Sequence, residues 1–142
     1  MYLIKLNKKQ LSTISEALEV YARLGIGQFR DALECLPLTD VFPEGWHDDM
    51  ATIGRILSQH TISNVDGYTS YLSIHNEKVD EESKIAWDLH QVFRRRLSWD
   101  AAAENGIIDS IESPRKWPEM SGVNYDDPLK VSDQPLAVAE KD

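Results

Sequence analysis

The chain has 142 residues, about one domain's worth, and its 42% hydrophobic and 27% charged residues lie near the soluble globular average. It carries 24 acids against 15 lysines and arginines, a formal net charge of -9, which argues against long nucleic acid and anionic membranes as partners, since both reward a basic surplus. The single cysteine, Cys35, excludes an internal disulfide framework and a multi-cysteine zinc site, and no apolar run approaches the ~18 residues of a membrane span.

Met1 to Leu6 is apolar and β-prone, and its length predicts one short strand. No basic stretch with a long apolar run follows, so no secretory signal is expected. Asn7 with Gln10 three residues later has the spacing of a capping box. Leu11, Ile14, Leu18 and Tyr21, widened by Ala17 and Ala22, then form an apolar stripe that predicts a helix over 8–24 with that stripe inward. Glu16, Glu19 and Arg23 fall on the opposite side and read as a solvated face, with Glu19 and Arg23 in the favourable i, i+4 order. Gly25-Ile26-Gly27 ends this helix, and Phe29, Ala32, Leu33 and Leu36 predict a shorter one over about 28–35. Pro37, Pro43 and Gly45 mark a loop.

Trp46, Met50, Ile53, Leu57 and His60 define a third helix, with Asp48 and Asp49 in its first turn, where the helix dipole favours acids. Residues 63–76 read equally as a loop, a short strand or part of a hairpin. Asp80 is a candidate N-cap for a fourth helix, followed by Glu81 and Glu82 and by an apolar face of Ile85, Ala86, Leu89, Val92, Phe93 and Leu97. Trp87 and Trp99 lie on other faces of it, so this helix is either central or part of a subunit interface. From Asp100 onward ten acids meet four bases and four prolines, two thirds of the net charge, which predicts an extended arm. The fold expected is mainly α with a short N-terminal strand: a compact helical core of about four helices over 1–99, and an acidic arm over 100–142 packing on the core or on a neighbouring subunit.

Candidate site residues follow from chemistry rather than from any complete motif. The Gly25-Ile26-Gly27-Gln28-Phe29 turn allows close backbone approach, and the amides opening the next helix can hold an anion; it reads equally as a tight interhelical turn. Arg94, Arg95 and Arg96 are the one basic cluster, either an anion clamp or a set of caps and salt bridges to the acidic arm. Arg95 lies near Gln91, and Arg96 falls in the apolar stripe, where a charge needs a partner. His75 and Asn76 can read a base edge or cap a turn. Glu16-x-x-Glu19 is half of the paired-carboxylate motif of all-α nucleotide pyrophosphatases, but a matching second half is missing. His47-Asp48 lacks the earlier histidine that a metal phosphohydrolase needs, and Cys35 reads as core. No Ser-His-Asp order, phosphate loop or dinucleotide fingerprint is present.

Several stretches taken in order carry a resemblance: Glu16 to Tyr21 leading into Arg23-Leu24-Gly25-Ile26-Gly27-Gln28-Phe29, Ile74-His75-Asn76 with Val79-Asp80, Ala86 to Val92 leading into Arg96-Leu97-Ser98-Trp99-Asp100, then Asp126-Asp127-Pro128-Leu129 and Gln134-Pro135-Leu136-Ala137. Together they resemble a family of small proteins of tailed bacteriophages. The resemblance implies expression in the cytoplasm of an infected bacterium. Among the roles of such proteins is that of a non-enzymatic anti-defence sponge, which sequesters a nucleotide messenger of immune systems such as CBASS or Thoeris. On that reading the ligand, a cyclic oligonucleotide or an ADP-ribose type, meets Arg23, Gly25, Gly27, Gln28, Phe29, His75, Asn76, Gln91, Arg95 and Arg96. The protein is then a homo-oligomer, a dimer or higher, with no cofactor, no metal, no long nucleic acid and no membrane as partner. The alternatives are a protein-binding inhibitor of a host defence factor and a small all-α nucleotide pyrophosphatase. The near-neutral body before Asp100 counts against an acidic DNA mimic.

Overall fold

The computed structural model describes residues 2–34, 44–60, 71–106 and 127–141. These are mainly helical: α1 (Lys8–Gly25), α2 (Phe29–Glu34), α3 (Trp46–Ser58) and α4 (Glu81–Glu104). Cys35, Pro37, Pro43 and residues 63–70 lie outside the described residues. No helix among those described is long and apolar enough to cross a membrane.

The helix ends form for the reasons their sequences suggest. The Asn7 side chain accepts from the Gln10 amide at 2.9 Å, and the Gln10 side chain accepts from the Asn7 amide at 2.9 Å. Each bond satisfies a donor that the helix itself leaves open. At α4 the Asp80 carboxylate accepts from the Ser83 amide at 2.7 Å and from its hydroxyl at 2.9 Å. Gly27 turns the chain between α1 and α2 at φ 85°, a conformation that L side chains rarely adopt.

The N-terminal strand does not form. Tyr2 to Asn7 have no regular structure, and Tyr2, Leu3 and Ile4 are 96%, 90% and 73% exposed. A strand needs a neighbour to take its ladder hydrogen bonds, and no sheet exists among the described residues. The second helix starts at Phe29 rather than Gln28, because the Gln28 amide closes the preceding turn on the Arg23 carbonyl at 2.8 Å. The fourth helix continues past Trp99 to Glu104, so Asp100 belongs to it and not to the arm.

α1 and α4 are antiparallel neighbours. Lys8 reaches Glu104, Ser15 faces His90, and Gly25 backs onto Ser83. The face that α1 turns to α4 is not the expected stripe. Ser15 and Ala22 are buried and Leu11 and Leu18 half-buried, whereas Ile14, Ala17, Tyr21 and Leu24 are exposed. On α4 the same inversion holds. Ser83, Asp88, His90, Gln91 and Ser98 are buried beside Ala86 and Val92, while Ile85, Leu89, Phe93 and Leu97 are only half-buried. Hydrogen bonding between polar side chains, invisible to a hydropathy stripe, decides which faces meet.

Residues 127–141 lie along the side of α4 turned away from α1. The Asp127 carboxylate pairs with Arg95 at 2.8 Å. Further along, the Val131 and Ser132 amides donate to Asp88 at 2.9 and 3.0 Å, joined by the Ser132 hydroxyl. The Asp133 amide donates to Glu81 at 2.8 Å. The chain bends over Ser132–Gln134 and runs back, bringing Lys141 to 4.0 Å from Glu104.

Candidate functional site

The ten residues singled out in the sequence do not converge. Arg23, Gly25, Gly27, Gln28 and Phe29 gather at the α1–α2 turn. Leu72 donates to the Ile26 carbonyl at 2.8 Å, which brings the segment carrying His75 and Asn76 alongside. Gln91, Arg95 and Arg96 lie elsewhere. Ser83 touches Gly25, and Arg95 is twelve residues further along α4, about 18 Å at 1.5 Å per residue.

Most of these residues are already engaged. Arg23 grips Glu19 through Nε and Nη2 at 3.0 and 2.6 Å, and its Nη1 donates to Gln28 at 2.8 Å. A Cβ on Gly25 would lie 1.8 Å from Ser83 Oγ, so its glycine is required by helix packing. Phe29 and Gln91 are buried. Asn76 accepts from the Lys78 amide at 2.9 Å, the turn-capping role, and His75 is exposed. Arg95 pairs with Asp127, and Arg96 pairs with Asp100 at 2.6 Å. An i, i+4 carboxylate is how the helix accommodates the arginine in its apolar stripe.

A different cluster stands open. Between α1 and α4 runs a groove of about 300 Å³, lined among others by Ser12, Glu16, Glu19, His90, Arg94 and Ser98. His90 is its inner wall, 4% exposed. Its Nδ1 lies 3.0 Å from the Ser15 carbonyl and 3.1 Å from the Ser15 hydroxyl. A carbonyl only accepts, so Nδ1 carries the hydrogen and Nε2 presents a lone pair. That Nε2 is buried without a hydrogen-bond partner, 3.8 Å from Glu19 Oε2. Burial lowers the His90 pKa below its ordinary value, outweighing the Ser15 carbonyl and the Glu19 carboxylate, so the ring is neutral near pH 7. Trp87 packs on it with ring centroids 5.7 Å apart.

The order Ser15–His90–Glu19 has the composition of a hydrolase triad but not its arrangement. The Ser15 hydroxyl faces the nitrogen that already holds a hydrogen, so the ring cannot take its proton. Glu19, expected on a solvated face, is instead half-buried and neutralised by Arg23. Among the described residues no group of three or more His, Cys, Asp or Glu is placed to hold a metal ion. Arg94 supplies the groove's cation. It is half-buried, and its guanidinium makes no hydrogen bond or ion pair with any described residue. Of the three arginines, Arg94 faces α1 and the groove, and the other two are taken up by Asp127 and Asp100. The sequence signal for this site was the i, i+4 spacing of His90 and Arg94; their partners on α1 lie 75 residues away.

The chain matches no protein-family model, no characterised protein and no solved structure.

Proposed function

We propose that the protein is a non-enzymatic phage anti-defence protein that sequesters a small nucleotide immune messenger in the groove between α1 and α4, in the cytoplasm of the infected host. The observation that carries this reading is the pairing, on one wall of one groove, of the Arg94 guanidinium with His90 Nε2, which has no hydrogen-bond partner. A guanidinium matches a phosphate, and a lone pair set one helical turn away reads a hydrogen-bearing group of the same ligand. The test is a panel of cyclic oligonucleotides and ADP-ribose derivatives offered to the purified protein. At least one is expected to raise the melting temperature, to be released unaltered on heating, and to lose its effect with Arg94→Ala. A hydrolysed product would instead identify an enzyme.

A second reading, a protein-binding inhibitor or a homo-oligomer, draws on the outer side of α1. There Ile14, Tyr21 and Leu24 are 37%, 52% and 44% exposed. Exposed large apolar side chains on one side of a helix are what an interaction surface needs. Replacing Tyr21 and Leu24 with serine is expected to lower the mass in solution if copies of the chain meet there.

A further inference from the structure

We infer that the groove selects a ligand carrying an amino group, adenine-type rather than hypoxanthine-type, through the paired acceptors His90 Nε2 and Glu19 Oε2. This rests on the nucleotide-binding reading above and adds the chemistry of the base. Nε2 has no hydrogen to give, because Nδ1 is held in its protonated form by the Ser15 carbonyl 3.0 Å away. Glu19 Oε1 is committed to Arg23 at 2.6 and 3.0 Å, which leaves Oε2 facing Nε2 across 3.8 Å. Two acceptors this close repel unless something donates to both. An atom about 2.8 Å from each, a normal hydrogen-bond length, sits at the apex of a triangle on that 3.8 Å base, and because Nε2 is closed to solvent the side chains around it shift to admit the atom. Its two bonds diverge by about 85°, against about 120° between the hydrogens of an aromatic amino group, so each hydrogen bond is bent by roughly 20° and stays within normal hydrogen-bond geometry. The exocyclic amino group of adenine supplies both hydrogens, whereas the oxo group of hypoxanthine presents a third acceptor. Arg94, four residues on and on the same face, is placed for the phosphate of the same molecule.

The two nucleotides differ in one substituent, so the comparison isolates this contact. A site built around unsatisfied polar groups rejects the analogue that leaves them unsatisfied. ADP-ribose and its inosine counterpart, and cyclic di-AMP and cyclic di-IMP, are titrated into the full-length protein by calorimetry. The adenine member of the pair that binds is expected to be at least about tenfold tighter. Glu19→Gln keeps an oxygen for Arg23 and turns an amide donor toward Nε2. The variant is expected to fold at least as stably and to lose the preference. Independently of any variant, the nitrogen resonance of His90 Nε2 is expected to move upfield on adding the adenine ligand, as it does when a lone pair accepts a hydrogen bond. Equal affinity for amino and oxo members, or a preference that survives Glu19→Gln, overturns the inference and leaves nucleotide binding standing. Binding of neither member of either pair overturns the nucleotide reading and the inference with it.

Discussion

The two long faces of α4 bury polar side chains in opposite conditions. On the arm side, the buried Asp88 carboxylate takes two backbone amides and a hydroxyl from Val131 and Ser132. On the α1 side, the equally buried His90 keeps one nitrogen satisfied and the other without a partner. A buried polar group whose partners are complete fixes structure, while an incomplete one costs stability until something completes it. The first face is a fastening. The second is the place to look for a ligand.

The largest effect is expected where the partners are complete. Asp88→Ala leaves two amides and a hydroxyl without their acceptor, and should cost about 3 kcal/mol in chemical denaturation. A loss no greater than that of a surface substitution would remove the distinction between the faces. Next comes Gly25→Ala at the α1–α4 crossing. Its Cβ would meet both Ser83 Oγ and Ser83 Cβ, at 1.8 and 2.6 Å. The strain should cost on the order of 1–3 kcal/mol, read as a lowered denaturation midpoint.

The α1 side should instead show itself in pH. His90 has a lower pKa folded than unfolded, so the unfolded chain takes up a proton that the folded chain refuses. Its contribution is therefore flat above the unfolded value of about 6.5. Below that, stability falls by up to ~1.4 kcal/mol per pH unit until the folded pKa is reached. His90→Gln should flatten this segment of the stability–pH curve. The smallest effects belong to the arginines. Arg95→Ala breaks an exposed pair and should change stability by about 0.5 kcal/mol or less. Arg94→Ala should be as mild in denaturation and yet abolish the messenger-induced thermal shift.

What was legible in the sequence was local. Asn7 with Gln10, and Asp80 ahead of Glu81 and Glu82, show their roles within one helical turn, and the structure places both caps there. Gly27 was legible as a break because its positive φ is a property of one residue. The inward faces were not legible. An apolar stripe on α1 suggested burial for Ile14 and Tyr21, but Ser15 meets His90 across 75 positions, and no spacing rule links them. The arginine cluster shows the same limit. Three adjacent cations look alike in sequence, and which of them faces the groove depends on the path of the arm past Arg95 and on the i, i+4 acid below Arg96.

The bonds between Asp88 and the arm span 43 and 44 positions. Closing so long a loop is entropically costly and comes late in folding, after the helices have local contacts to build on. The α1–α4 pair can therefore form while Asp88 still waits for its donors, and the arm docks as a final step. In hydrogen exchange the Val131 and Ser132 amides should open in a sub-global event of their own, ahead of the central amides of α4. The arm is thus the part of the described chain that completes the hydrogen bonding of its central helix.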